Sequence, residues 1–170
     1  MAYEWLLVFS IPLIAGIISL ATQSGFFVPL PMETVRAILK LAKIKKNDML
    51  YDLGSGDGRV VITAVKEYEI NAVGIEKNPI LYWLSKKKVE KEKLQNKIKL
   101  IKGDLFKQNL SKASVVVLYL TPRLNKRLMP KLKKELKKGT RIISASHAFK
   151  GWKETVKIKT GHFHCYLYEI

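Results

Sequence analysis

Apolar and polar positions along this chain change period several times, and the changes mark out its elements. From Trp5 to Thr22 the residues are apolar apart from Ser10, Ser19 and Thr22, and no charge lies between Glu4 and Glu33. That run is apolar all round, whereas a surface helix of a globular protein keeps one apolar stripe. Phe26 to Pro31 cannot be regular helix, because its two prolines fix φ and hold their predecessors extended. Helical spacing returns over Met32 to Lys43, with Val35, Ile38, Leu39 and Ala42 on one face. Short apolar runs then alternate with longer helical stretches. The runs predict strands at Met49–Leu53, Ala72–Ile75, Ile98–Ile101, Ser114–Leu120 and Thr140–Ser144. The stretches between predict helices from about Gly58 to Tyr68, Pro79 to Leu94 and Leu124 to Lys137, the last closed by Gly139. Two more strands, Thr155–Lys159 and Phe163–Tyr168, have no helix between them. This is an α/β order: a mostly parallel sheet covered by helices on both faces, with an antiparallel edge from the final pair.

Two units follow from the pattern. Residues 26–170 give one domain of ordinary size. Residues 1–25 read as a transmembrane anchor. The eighteen residues from Trp5 to Thr22 span about 27 Å as helix, against ~30 Å of hydrocarbon. A cleaved signal peptide is the main rival, but the start lacks a positive n-region. Arg36, Lys40, Lys43, Lys45 and Lys46 follow the segment and no Lys or Arg precedes it. The positive-inside rule then places the domain in the cytoplasm on a single-pass anchor, with its basic surface near anionic lipid.

Charge adds a question and the lone cysteine removes one. The net charge is +17, from 31 basic and 14 acidic residues. Nucleic acid, a membrane surface or an acidic protein would each suit it. Most of the excess is lysine on helices such as Lys86 to Lys93, and aromatic residues are not interleaved with it, so nucleic acid is the less favoured partner. A single cysteine, Cys165, excludes an intramolecular disulfide.

The chemistry sits at one turn. Tyr51-Asp52-Leu53-Gly54-Ser55-Gly56-Asp57-Gly58-Arg59 closes the first strand and opens a helix. Glycines let the backbone approach a ligand and take positive φ. The spacing is GxGxG rather than the GxGxxG of dinucleotide folds, which favours S-adenosylmethionine over NAD. Glu76, at the end of the second strand, can accept hydrogen bonds from two ribose hydroxyls. Asp104 follows the third strand. No metal site is expected: His162 and His164 share a strand face without a third ligand nearby.

Taken with Phe27-Val28-Pro29-Leu30-Pro31, Val73-Gly74-Ile75-Glu76, Lys102-Gly103-Asp104, Gly139-Thr140-Arg141 and Gly151-Trp152, the YDLGSGDGR block resembles the small archaeal protein-lysine methyltransferases. It also resembles the membrane-anchored lysine methyltransferases that modify the c-ring protein of ATP synthase. The likeness covers about residues 26–170. It implies the Rossmann-like seven-stranded methyltransferase sheet and methyl transfer from S-adenosylmethionine to lysine ε-amines of a protein substrate with accessible lysines. Carried over by position, Asp52, Gly54, Ser55, Gly56 and Asp57 would frame the methionine part of the cofactor. Glu76 would hold the ribose, and Asp104 with Leu105 would hold the adenine. Phe27, Val28, Pro29, Pro31 and Trp152 would form the substrate channel. Tyr119 is the candidate for orienting the amine, and His147 a weaker candidate base. Where adenine and cytosine amino-methyltransferases carry an Asn/Asp-Pro-Pro-aromatic motif, this chain has Thr121-Pro122. A methyltransferase acting on RNA or a small molecule, and a cofactor-binding adaptor without catalysis, are the alternatives.

Overall fold

The structure is a computed structural model and describes residues 28–170. Its elements run α1 (Met32–Leu41), β1 (Met49–Leu53), α2 (Arg59–Tyr68), β2 (Asn71–Glu76), α3 (Pro79–Lys91), β3 (Ile98–Lys102), a 3-10 turn (Leu105–Lys107), β4 (Val115–Leu118), α4 (Pro122–Glu135), β5 (Arg141–Ala145), β6 (Val156–Thr160) and β7 (Phe163–Glu169). The strands form one seven-stranded sheet in the order β3-β2-β1-β4-β5-β7-β6. β1 to β5 are parallel, while β7 runs antiparallel between β5 and β6.

Two of the helices, α3 and α4, start where the sequence provides a side-chain cap. The Asn78 side chain accepts from the N–H groups of Ile80 and Leu81, with Pro79 in the first turn of α3. Thr121 does the same for Leu124 ahead of Pro122 and α4. Such caps contribute about 1 kcal/mol each. α1 carries Glu33 in its first turn and Lys40 in its last, matching the helix dipole, and buries Val35, Ile38 and Leu39.

Period-two alternation splits the core between the two sheet faces. Leu50, Val115, Val117 and Ile143 pack with α1 and α2 on one side. Tyr51, Leu53, Val116, Leu118 and Ile142 pack with Leu128 and Leu132 of α4 on the other. Asp52 takes the parity of Leu50, so it projects to the α2 side with 4% exposure. Truncating a fully buried leucine such as Leu128 to alanine should cost about 2–5 kcal/mol.

Two expectations change at the boundaries. β4 ends at Leu118 instead of Leu120, because its ladder partners run out there: Leu53 and Ser144 both lie opposite Leu118. Tyr119 and Leu120 are thereby released from the sheet. The expected location, a cytoplasmic domain on a single-pass membrane anchor, is corrected: among the described residues no helix is long and apolar enough to cross a membrane. Residues 1–25, which carried that expectation, lie outside the described residues.

Candidate active site

The parallel strands end at a cavity of about 640 Å³. It lies where the chain order reverses, between β1 and β4, the crevice in which open α/β sheets bind ligands. Asp52, Gly54, Ser55, Gly56, Asp57, Glu76, Asp104 and Leu105 all line it, as do Val28, Pro29 and Tyr119.

The glycine turn is built by conformation and by space. Gly54 and Gly58 have φ of +84° and +80°, in the left-handed region that side chains disfavour. A Cβ on Gly58 would stand 2.3 Å from the Ser85 hydroxyl of α3. Glu76 then fixes the turn. Its Oε2 accepts from Gly56 N–H at 2.8 Å and its Oε1 from Asn78 N–H at 2.7 Å. One carboxylate thus ties the glycine turn to the start of α3 and keeps spare lone pairs for a ligand.

Asp52 and Asp57 differ sharply. Among the described residues Asp52 has no hydrogen-bond partner. Burial raises its carboxyl to a pKa of about 8, and the negative neighbours Glu76 and Asp57 add to the effect. Asp57 is equally close to the turn but fully engaged. Arg59 donates to it from Nε at 2.9 Å and from the terminal nitrogen at 2.8 Å, and Lys88 Nζ from 2.5 Å. Burial pushes its carboxyl up, but the Arg59 and Lys88 hydrogen bonds and charges outweigh that and lower it to about 2. Its place is therefore to brace the loop, with its charge already neutralised on the cavity wall.

Asp104 caps the 3-10 turn through Oδ1, which accepts from Phe106 N–H at 2.9 Å. Leu105 and Phe106 follow it on the wall, and the Arg127 guanidinium covers the Phe106 ring at 4.6 Å. Tyr119 packs edge-on against Phe163 at 5.9 Å. His147 reaches the cavity as well. Its carbonyl accepts from Ser144 Oγ at 2.5 Å and from the buried Asn125 amide at 3.2 Å, which pins the chain after β5.

Two expected channel residues are placed otherwise, and a third is not among the described residues. Phe27 lies outside the described residues. Pro31 is not on the cavity wall; its carbonyl accepts from Val35 N–H and opens α1. Trp152 is not on the wall either. It packs against Phe149 and Tyr168, with ring centroids 5.0 and 6.0 Å away, and Lys133 sits over its ring. Its size and apolar surface belong to the core beyond β5, so the structure gives it a packing place.

Arg59 is a site residue to which the sequence pattern assigned no role. Besides clamping Asp57, it donates to the Leu30 carbonyl at 2.6 Å and so holds the Val28–Pro31 connector against the glycine turn. The available signal was its position, two residues after Asp57 at the start of a helix. Lys77, Leu81, Leu124 and Arg127 also line the cavity, and no local motif marks them.

This geometry can be set beside known proteins. A model of the ANTKMT methyltransferase domain matches residues 52–156, more than half of the chain. The chain belongs to that family. As an ANTKMT-type methyltransferase domain it is 40% identical to a protein-lysine N-methyltransferase of Saccharolobus islandicus, over 85% of this chain and 92% of the relative. It is 29% identical to the mouse adenine nucleotide translocase lysine N-methyltransferase over 89% of this chain, and spans 70% of that relative's length. The crystal structure of an RNA methyltransferase from Salinibacter ruber with S-adenosyl-L-homocysteine superposes with a TM-score of 0.82 at 36% identity, covering 84% of this chain and 94% of that one.

Proposed function

We propose that this domain transfers methyl groups from S-adenosylmethionine to lysine ε-amines of proteins. The observation that carries the reading is the match, over 85% of this chain and 92% of the relative, to a protein named protein-lysine N-methyltransferase. The cavity fits the cofactor on its own terms. A buried carboxyl without a partner among the described residues suits the ammonium of an amino-acid moiety, and a glycine turn that side chains would obstruct suits close approach.

Asp52 would hold the methionine ammonium as a carboxylate. Glu76 would accept from the ribose hydroxyls beside its two backbone donors. Asp104 would hold the adenine amino group, with Leu105 and Phe106 beside the ring. Gly54, Ser55 and Gly56 shape the floor, and Asp57 with Arg59 keeps the turn rigid. When bound, S-adenosylmethionine supplies a methyl group on a positively charged sulfur that needs no further activation.

The chain's remaining task is to deliver a neutral amine in line and exclude water. Val28 and Pro29 on the connector and Leu120 and Leu124 beyond β4 give the channel an apolar wall. Such a wall lowers a lysine pKa from its ordinary value of about 10.4. Tyr119 offers a hydroxyl oxygen to the amine and orients its lone pair.

A filter assay with tritiated cofactor and mixed lysate tests this, followed by mass spectrometry. Protease-sensitive label and added mass of about 14 Da per methyl on lysine are expected. Label that survives protease and vanishes with ribonuclease would overturn the reading. The basic net charge of +17 and the RNA methyltransferase neighbour make that the competing outcome.

A further inference from the structure

Helix α3 has two apolar sides, and among the described residues only one is covered. Ser85 and Val89 are buried on the inner side, where the helix packs on β2 and β3, and Leu81 faces the cavity. On the outer side Ile80, Trp83 and Leu84 follow one another at helical spacing and are 49%, 55% and 38% exposed. Scattered apolar residues on a surface mean little, but three adjacent ones including tryptophan form a patch of the kind that marks an interaction site. The patch begins beside the cavity: Ile80 and Leu84 flank Leu81 on the helix, and Lys77, which lines the cavity, precedes it. At about 1.5 Å of rise per residue the stripe from Ile80 to Leu84 covers roughly 6 Å of helix. A chain segment within a few residues of a lysine held in the cavity would lie on it.

The rim of the patch is basic. Lys86 and Lys87 both lean on one acid, Glu90, at 3.9 and 3.2 Å, so they keep a surplus positive charge. Lys88 is committed to Asp57. Apolar anchors in a charged rim take a partner with the opposite rim. The centre is isoleucine and leucine beside a single tryptophan, whereas stacking of nucleic-acid bases uses successive aromatic rings.

We propose that the outer face of α3 docks the substrate protein, through a segment next to the target lysine that carries apolar side chains flanked by acids. The proposal rests on the lysine-methylation reading for its substrate, and it adds what sequence around the lysine the enzyme prefers. Aspartate and glutamate near the lysine engage Lys86 and Lys87, and a large apolar residue covers Trp83 and Leu84.

Two fluorescein-labelled peptides with the same central lysine, titrated with the full chain, test this by anisotropy. One carries leucine, phenylalanine and glutamate beside the lysine; the other carries glycine and serine. The acidic-apolar peptide should bind at least tenfold tighter. The double variant Trp83→Glu, Leu84→Glu should abolish that advantage and leave cofactor affinity and the glycine-serine peptide unchanged, which also shows that it folds. Trp83→Ala, a milder change, should lose about fivefold. Lys86→Glu with Lys87→Glu should lose about threefold, and the loss should shrink as salt rises. Equal binding of the two peptides, or binding indifferent to Trp83, would overturn the docking face. So would self-association of the chain that depends on Trp83, since the face would then belong to a second copy. Mass spectrometry of the same peptides separates the two readings. Selective binding without methyl gain on lysine would leave the face standing and remove the lysine-methylation reading. Methyl gain on both peptides at equal rates, with equal binding, would do the reverse.

Discussion

Asp48 and Asp52 stand four residues apart beside and within the same strand, both nearly buried, and they have opposite surroundings. Asp48 lies at the end of the sheet away from the cavity. It accepts from Lys45 N–H at 2.6 Å, Ser114 Oγ at 2.7 Å and Arg141 at 2.5 Å. Arg141 also donates to the carbonyls of Ala42 and Lys43, so the acid gathers α1, β1, β4 and β5 into one network. Burial alone would raise the Asp48 carboxyl, but the Lys45 N–H, Arg141 and Ser114 reverse that and lower it. Asp52 has none of these partners and is pushed up to about 8. A buried acid supplied with donors holds the fold together. A buried acid left without them is maintained at a cost to stability.

Breaking the first acid should give the largest effect. Asp48→Ala leaves Arg141 without its carboxylate, and removing one partner of a buried pair costs about 3 kcal/mol or more. Urea unfolding should show that loss while calorimetry finds cofactor affinity within about twofold of the parent. A matching loss of cofactor affinity would mean that the two ends of β1 are not separable.

Glu76 stands between the two cases, being both braced and ligand-facing. Glu76→Ala orphans the N–H groups of Gly56 and Asn78 and removes the acceptor proposed for the ribose. Hydrogen bonds to a charged group contribute about 1.5–3 kcal/mol, so cofactor affinity should fall roughly 10- to 100-fold. Here stability should fall too, by about 1–3 kcal/mol, because donors are left buried. Unchanged affinity would remove the ribose assignment.

The pH dependence of the two acids should run in opposite directions. Asp52 binds its proton more tightly folded than unfolded, so stability of the cofactor-free chain should decline as pH rises from about 4 towards 8. Asp48 and Asp57 bind theirs less tightly folded, so their contribution is present above the ordinary carboxylate range and is lost as pH falls below it. Asp52→Asn should remove the decline between pH 4 and 8 and weaken the cofactor about tenfold at pH 8. Calorimetry in buffers of different ionisation enthalpy should show nearly one proton released per cofactor bound near pH 7. No proton release would place the ammonium elsewhere.

The smallest effect is expected at Tyr119. Tyr119→Phe should lower kcat about fivefold with cofactor affinity unchanged. For the parent, activity should rise with pH towards about 9 as lysine loses its proton. An unaltered kcat in the phenylalanine variant would reduce Tyr119 to a partner of the Phe163 ring.

Local order in the sequence was enough for the strand-helix alternation and for the glycine turn with acids at the ends of β1, β2 and after β3. Those features depend on period and on near neighbours: an apolar run of strand length ends at an acid, and glycines open a helix. It was also enough for the antiparallel pair at the end, because no helix separates those strands. Which acids would be satisfied was not legible. Arg141 meets Asp48 across 93 positions and Arg59 meets the Leu30 carbonyl across 29, and such contacts exist only once register and helix packing are set. The same reason set His147 on the cavity wall and Trp152 against Phe149 and Tyr168: both follow β5, and no local pattern says which way the chain turns there. Composition and spacing determined that this protein holds a nucleotide-type cofactor at the end of a parallel sheet. The tertiary structure alone decided which buried charges are paired, since a side chain's partner is fixed by the strand that comes to lie beside it.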